Sequence, residues 1–269
     1  MNKYFNKHTI ALITGASSGI GKELAKLLIT KYGVTVFGSG RNEEKLNKVR
    51  DELGENFVPL KFDAGEKSEW ERIYNYFKDN GLKLGCLINC AGVLPAFSKF
   101  NKTHFEVNEK AIYTNYFSVV YSSYYMMPLL EEVDKPLLIN VSSSSALCPF
   151  AGISLYSSTK SAVRSFSETL SCENKKIRVV TVMPGFTKTD VMRDQTATKK
   201  EQKLIDLMSK SAPSVARIII RKASRGRRRI ITGFDAKFMN FIYKVSPSTA
   251  PRFLSWFMRK TKMTVFKNI

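Results

Sequence analysis

Two rhythms of apolar residues run through the first 190 positions of this chain. Short apolar, often β-branched runs at Thr9–Thr14, Val34–Ser39, Phe57–Asp63, Cys86–Cys90, Leu137–Ser142 and Ile177–Met183 predict strands. Between them the spacing turns helical, over Ile20–Lys31, Lys67–Asp79, a long stretch Phe105–Leu130, and Ser154–Cys172. Asn42 is a predicted cap for the Glu/Lys-rich helix that follows the second strand. Strands that are apolar throughout, alternating with helices, imply a parallel sheet covered on both faces. Right-handed crossovers then give a single doubly wound α/β domain of the Rossmann type, covering residues 1–269.

Pro184-Gly185 ends the alternation. Residues 187–225 begin as a polar stretch, Thr187–Lys210, predicted to be a mobile loop region over the substrate. Val215–Ala223 reads as helix and Arg229–Thr232 as a last strand. Residues 234–269 form a basic, aromatic extension of the same domain.

Composition changes this picture only at the C-terminal end. Residues 199–269 hold eighteen of the 43 Lys and Arg but three of the 23 Asp and Glu, so they carry +15 of the net +20. Phe234, Phe238, Phe241, Ile242 and Val245 fall on one helical face. Pro251–Lys262 then mixes Phe253, Leu254, Trp256, Phe257 and Met258 with Arg252, Arg259, Lys260 and Lys262. Three readings stay open: helices packed on the body with a solvated basic face, contact with an anionic membrane surface, or a surface between copies in a homo-oligomer. The run Arg225-Gly226-Arg227-Arg228-Arg229 comes with no nucleic-acid-binding module, so nucleic acid is not an expected partner. No apolar run reaches the ~18 residues of a membrane span. Met1–Lys7 lacks the apolar core of a signal peptide, and the expected location is cytoplasmic, with the C-terminal helices as the candidate contact to the inner face of a membrane. Cys86, Cys90, Cys148 and Cys172 lack metal-site spacing and read as reduced structural thiols, so no metal is expected.

Three patterns carry chemistry. Thr14-Gly15-Ala16-Ser17-Ser18-Gly19-Ile20-Gly21 is a glycine turn between a strand and a helix, where backbone N–H groups and the helix dipole hold a pyrophosphate. Gly40-Arg41 ends the second strand; a guanidinium there suits the 2′-phosphate of NADPH, and Gly40 leaves room for it. Tyr156 and Lys160 stand at i and i+4 on a predicted helix, so the ammonium can lower the pKa of the phenol. Ser143, thirteen residues earlier at a strand end, can hydrogen-bond a substrate carbonyl.

With these motifs in this order, residues 9–190 resemble the short-chain dehydrogenase/reductase family. Asp63 matches the acid after the third strand that meets the adenine; Asn89-Cys90-Ala91-Gly92 resembles the family's Asn-Asn-Ala-Gly, with Cys90 in place of the second Asn. Asn115, Ser143, Tyr156 and Lys160 match the catalytic tetrad. The resemblance implies an NADP(H)-dependent oxidoreductase interconverting a ketone and a secondary alcohol. In it Tyr156 donates the proton, Lys160 lowers the Tyr156 pKa and binds the nicotinamide ribose, Ser143 orients the carbonyl, and Asn115 holds a relay water. The implied cofactor contacts are Gly15, Ser17, Ser18, Gly19, Ile20, Gly21, Arg41, Asp63, Asn89, Ala91, Gly92, Tyr156, Lys160, Pro184, Gly185, Thr187 and Thr189.

Leu94, Pro95, Leu147, Pro149 and Phe150 flank the predicted site loops, and Met192 lies in the segment expected to close over substrate. They favour a lipophilic carbonyl compound: a 3-oxoacyl thioester, a sphingoid ketone or a steroid. The alternative is a non-catalytic dinucleotide sensor or membrane scaffold of the same fold, against which an intact tetrad argues, since a sensor needs no proton donor.

Overall fold

A computed structural model describes residues 4–189, 198, 201–203, 205, 209–267 and 269. Its elements, in chain order, are β1 (Ile10–Thr14), α1 (Gly19–Tyr32), β2 (Thr35–Gly40), α2 (Glu43–Leu53), β3 (Phe57–Lys61), α3 (Lys67–Asp79), β4 (Leu84–Asn89), α4 (Phe105–Ile112), α5 (Ser118–Glu131), β5 (Leu137–Val141), α6 (Ser154–Glu173), β6 (Arg178–Pro184), β7 (Thr187–Lys188), β8 (Lys210–Ser211), α7 (Ala212–Ser224), β9 (Arg229–Thr232), α8 (Phe234–Val245) and α9 (Ala250–Lys260).

Seven strands pair in the order β3-β2-β1-β4-β5-β6-β9, and every pairing is parallel. The predicted doubly wound sheet is therefore present. Alternate residues serve opposite faces, as the period of a strand requires. Ala11 and Ile13, Leu137 and Ile139, and Val180 and Val182 enter the core beneath α1 and α7. Leu12, Leu138 and Val179 enter the core beneath α3 and α5. Winding reverses between β1 and β4, which opens a crevice at the strands' C-terminal ends. The chemistry-bearing residues gather there.

Local signals set the element ends. Asn42 caps α2 by accepting the Lys45 N–H at 2.8 Å, and Gly33, in the left-handed region, ends α1. The predicted long helix over Phe105–Leu130 is not continuous. A π-helical turn, Tyr113–Phe117, separates α4 from α5 and holds Asn115. One extra residue in a turn turns the side chains beyond it, and periodicity alone does not reveal it. The polar stretch after Pro184 is anchored at its ends, because β7 pairs with β8 (Thr187 with Lys210, Lys188 with Ser211). Met192 lies outside the described residues.

α8 and α9 pack through one face each. Ala236 and Met239 of α8, and Ala250, Leu254 and Met258 of α9, are buried. Phe234, Phe238, Phe241, Val245, Phe253, Trp256 and Phe257 are exposed. The aromatic stripe that the sequence marks as a candidate packing face is thus the outer face. Smaller residues and methionines make the inner one.

Candidate active site

A cleft of about 320 Å³ runs across the ends of β1, β2, β4, β5 and β6. Its floor at one end is the glycine turn. A Cβ on Gly21 would stand 2.2 Å from the Gly15 carbonyl oxygen, and one on Gly15 would stand 2.9 Å from Ala91 Cα. Glycine at both positions lets α1 begin hard against the strand ends. Ser18, the N-cap of α1, makes no side-chain cap hydrogen bond, and Ser17 to Gly21 line the cleft. Uncapped N–H groups at a helix start favour an anion.

Beyond the turn, Arg41 and Asp63 form the rim, with Arg41 Nη1 3.8 Å from Asp63 Oδ2 and both side chains partly exposed. So long and exposed a pair contributes little, and a phosphate could replace it at small cost. Gly40 lines the cleft. A Cβ there would meet Ser17 Oγ at 3.1 Å, so the glycine also lets β2 and the glycine turn come close together.

The tetrad sits at the opposite end. Ser143 follows β5 and caps a short 3₁₀ turn, its Oγ accepting the Ser145 N–H at 3.2 Å. Tyr156 and Lys160 share a face of α6, with Lys160 Nζ 5.9 Å from the Tyr156 ring centroid. Lys160 is buried and donates to the Val141 carbonyl at 3.2 Å. Burial pulls its pKa down to about 8. Burial pushes the Tyr156 phenol up from its usual value, opposed by a hydrogen bond with Ser143. Desolvation is the larger of these two effects, so the phenol keeps its proton and can donate it.

Asn115 reaches the site through the π turn. Its Oδ1 accepts the Val93 N–H at 2.7 Å and its Nδ2 donates to the Val93 carbonyl at 2.9 Å, clamping the backbone beside Gly92. A Cβ on Gly92 would lie 3.1 Å from Lys160 Nζ and 3.2 Å from Asn115 Oδ1. The glycine therefore brings both tetrad members against the end of β4. Asn115, Ser143, Tyr156 and Lys160 are brought together as the sequence implied.

Of the expected cofactor contacts, Gly15, Ser17, Ser18, Gly19, Ile20, Gly21, Arg41, Asp63, Ala91, Gly92, Tyr156, Lys160, Pro184, Gly185, Thr187 and Thr189 line the cleft. Asn89 does not. It is buried inside the sheet, where its Nδ2 donates to Asn140 Oδ1 at 2.8 Å, and Asn140 donates in turn to Ser167 at 2.9 Å. This polar ladder ties β4, β5 and α6 together behind the tetrad. Cys90, the departure from the family motif, is partly buried, and desolvation pushes its thiol up to about 12. Its backbone N–H and that of Ala91 both donate to the Thr14 hydroxyl, at 3.0 and 3.1 Å, so the strand end keeps its order without a second Asn.

Thr14 opens the glycine motif, but its grip on the end of β4 is not legible there. Asn140 and Ser167 carry no motif, and sequence reading passes over them. It also misses Asp235, whose carboxylate accepts the Phe186 N–H at 2.6 Å. Phe97, Ile153 and Phe186 join the expected Leu94 and Phe150 in an apolar wall beside Tyr156. Leu147 instead packs behind the site with Met183 and Ala236, and Pro95 lines a separate small crevice. Among the described lining residues, Arg41 and Lys160 are the cations, and Arg41 is at the far end.

The chain is similar to known proteins in sequence and in fold. The family model for short chain dehydrogenase matches residues 9–200. A probable NADP-dependent dehydrogenase of Haemophilus influenzae is 32% identical over 182 residues, 67% of this chain and 72% of that protein. An NADP-dependent 3-hydroxy acid dehydrogenase of Escherichia coli K12 is 30% identical over 179 residues, 66% of this chain and 72% of that one. Serine dehydrogenase in its closed form with NADP+ superposes with a TM-score of 0.76 at 24% identity, over 83% of this chain and 94% of that one. A short chain dehydrogenase of Burkholderia cenocepacia, in complex with NADP, gives 0.77 at 21% identity, over 91% and 96%. The chain belongs to the short chain dehydrogenase family.

Proposed function

We propose that this protein is an NADP(H)-dependent oxidoreductase that reduces lipophilic ketones to secondary alcohols, working beside a membrane surface. The observation that carries the substrate class is the wall around Tyr156, made of Leu94, Phe97, Phe150, Ile153 and Phe186. Among the described lining residues no cation other than Lys160 stands there to hold a substrate carboxylate. The cleft suits the nucleotide: N–H groups at the start of α1 for a pyrophosphate, and Arg41 for a 2′-phosphate.

A reduced nicotinamide held in this cleft would supply the hydride. Ser143 and Tyr156 direct their hydroxyls to the carbonyl oxygen. As the carbonyl carbon takes the hydride, Tyr156 gives its proton to that oxygen, and solvent later restores it. Lys160 holds positive charge where the phenolate develops, in a buried setting that strengthens the attraction. Asn115 keeps the Val93 backbone, and with it the β4 end of the cleft, in place.

A second reading has support in the similarity to 3-hydroxy acid dehydrogenases. Turnover of NADPH with a panel of long-chain 3-oxoacyl thioesters, sphingoid ketones and steroid ketones, against short 3-oxo acids, separates the two. Higher kcat/KM for the lipophilic members by tenfold or more is the expected result. Preference for the short acids gives the second reading, and no turnover of any member by protein that binds NADPH leaves a sensor.

A further inference from the structure

The outer face of α8 and α9 exposes seven large apolar side chains. Phe234, Phe238, Phe241 and Val245 lie along α8, and Phe253, Trp256 and Phe257 along α9, each between 40% and 83% exposed. Phe253 and Trp256 stack on each other with ring centroids 6.1 Å apart, and both are about half exposed. The core of the domain is complete without them, filled from the inner faces by Met239, Leu254 and Met258.

Charge decides what covers this face. Residues 236–269 contain seven Lys and Arg and no Asp or Glu. The acid just before them, Asp235, is turned inward onto Phe186. Lys237, Lys244, Arg252, Arg259 and Lys260 are exposed beside the rings. A second copy seated here would set these cations against their own kind. An anionic surface meets them with opposite charge, and exposed Phe and Trp on amphipathic helices bury at the lipid headgroup boundary.

We infer that α8 and α9 dock this protein on an anionic lipid bilayer, rings inserted and cations on the headgroups. Their inner faces join the same apolar cluster as Phe97, Phe150 and Ile153, which wall the cleft. The bilayer and the substrate end of the cleft are thus separated by a single layer of helix, about 10 Å thick. Docking would serve the lipophilic-ketone activity proposed above, on which its purpose rests, although its detection requires no substrate.

The chain has two tryptophans, Trp70 fully buried and Trp256 exposed, so a change in emission on docking reports Trp256. The full chain is mixed with vesicles of phosphatidylcholine alone, or with one third phosphatidylglycerol, and followed by co-sedimentation and fluorescence. Binding to the anionic vesicles at low salt, a blue-shifted emission that Trp256→Phe abolishes, and weakening in 0.5 M salt are expected. Phe241→Ser/Trp256→Ser/Phe257→Ser should abolish sedimentation. Lys237→Gln and Lys260→Gln should each weaken it by about fivefold. Circular dichroism and NADPH turnover on a water-soluble ketone should stay at wild-type values in all of these variants. Absent sedimentation at low salt, or equal binding to neutral vesicles, overturns the inference. So does a dimer in solution that the triple substitution splits while vesicles bind nothing, which makes the face a contact between copies. Turnover without vesicle binding leaves the reductase standing without the membrane, and vesicle binding without turnover does the reverse.

Discussion

The Asp235 carboxylate accepts the Phe186 backbone N–H at 2.6 Å, fixing the first turn of α8 to the segment that walls the cleft. It also accepts the N–H of Ala236 and its own. Gly185 and Gly233 are so close that a Cβ on either would stand 2.1 or 2.3 Å from its Oδ1. Burial raises the Asp235 pKa in spite of these donors. With a folded pKa above the unfolded one, the ionised group costs stability, and that cost sets in as pH rises from 3.8 toward the folded value. Asp235→Asn removes the cost and keeps an acceptor, so it should hold Tm and activity. Asp235→Ala leaves the Phe186 N–H without its partner and frees the Pro184–Phe186 wall. A several-fold rise in KM for NADPH, measured by steady-state kinetics, is expected for Ala and not for Asn.

Tyr156→Phe keeps the ring and removes the proton donor. The rate should fall ~10²-fold or more. NADPH affinity, read by fluorescence titration, should stay within about twofold. A rate above a tenth of wild type would reassign the proton to another group.

Lys160 is held at a pKa of about 8 against an ordinary 10.5. Its folded pKa is lowered, so the unfolded chain holds the proton more tightly between those values. Stability therefore rises with pH across that window, and below pH 8 the buried charge carries its full cost. At about 1.4 kcal/mol per unit, that cost is on the order of 3–4 kcal/mol. Lys160→Met should melt higher than wild type at pH 7 in nucleotide-free protein, with the gap closing toward pH 10. The same variant should lose turnover. In the wild type, ketone reduction should decline above pH 8 as the ammonium is lost. A Met variant that melts lower at pH 7 would mean that the Lys160 bond to Val141 outweighs the desolvation.

Arg41→Asp removes a phosphate partner and adds repulsion. The ratio of kcat/KM for NADPH over NADH should fall at least tenfold, since a hydrogen bond to a charged group contributes ~1.5–3 kcal/mol. An unchanged ratio would move the phosphate toward Ser17 or Ser18. Lys22 is a weaker substitute, because Glu52 already holds it at 2.6 Å.

Gly21→Ala brings a methyl to 2.2 Å from the Gly15 carbonyl, which is backbone and cannot swing aside. α1 must shift from the strand ends. Nucleotide affinity should fall by tenfold or more with the far-ultraviolet spectrum retained; unchanged affinity would show that the turn absorbs the methyl.

Much of this protein is written in local order. Lys67–Asp79 and Arg229–Thr232 agree with the structure to the residue, because a helix or strand buried on a fixed face displays its period. Part of the tetrad was legible for a similar reason: Tyr156 and Lys160 are one turn apart on a helix, and Ser143 follows the strand before that helix, whereas Asn115 came only from the family resemblance. Tertiary packing decided the rest. The π turn at Tyr113–Phe117 shifts the facing of Asn115 by a residue, with no change in composition to announce it. Asn89 bears a cofactor-site motif, yet its partner is Asn140, 51 positions away, and only strand pairing brings the two together. Asp235 joins Phe186 across 49 positions, by the docking of α8 on the sheet. The aromatic stripe of α8 and α9 shows the limit best. Amphipathic spacing defines two faces, and which one meets the core depends on what the neighbours leave to fill. Here the space beside Phe97 and Phe150 takes Met239, Leu254 and Met258, and the rings are left outside.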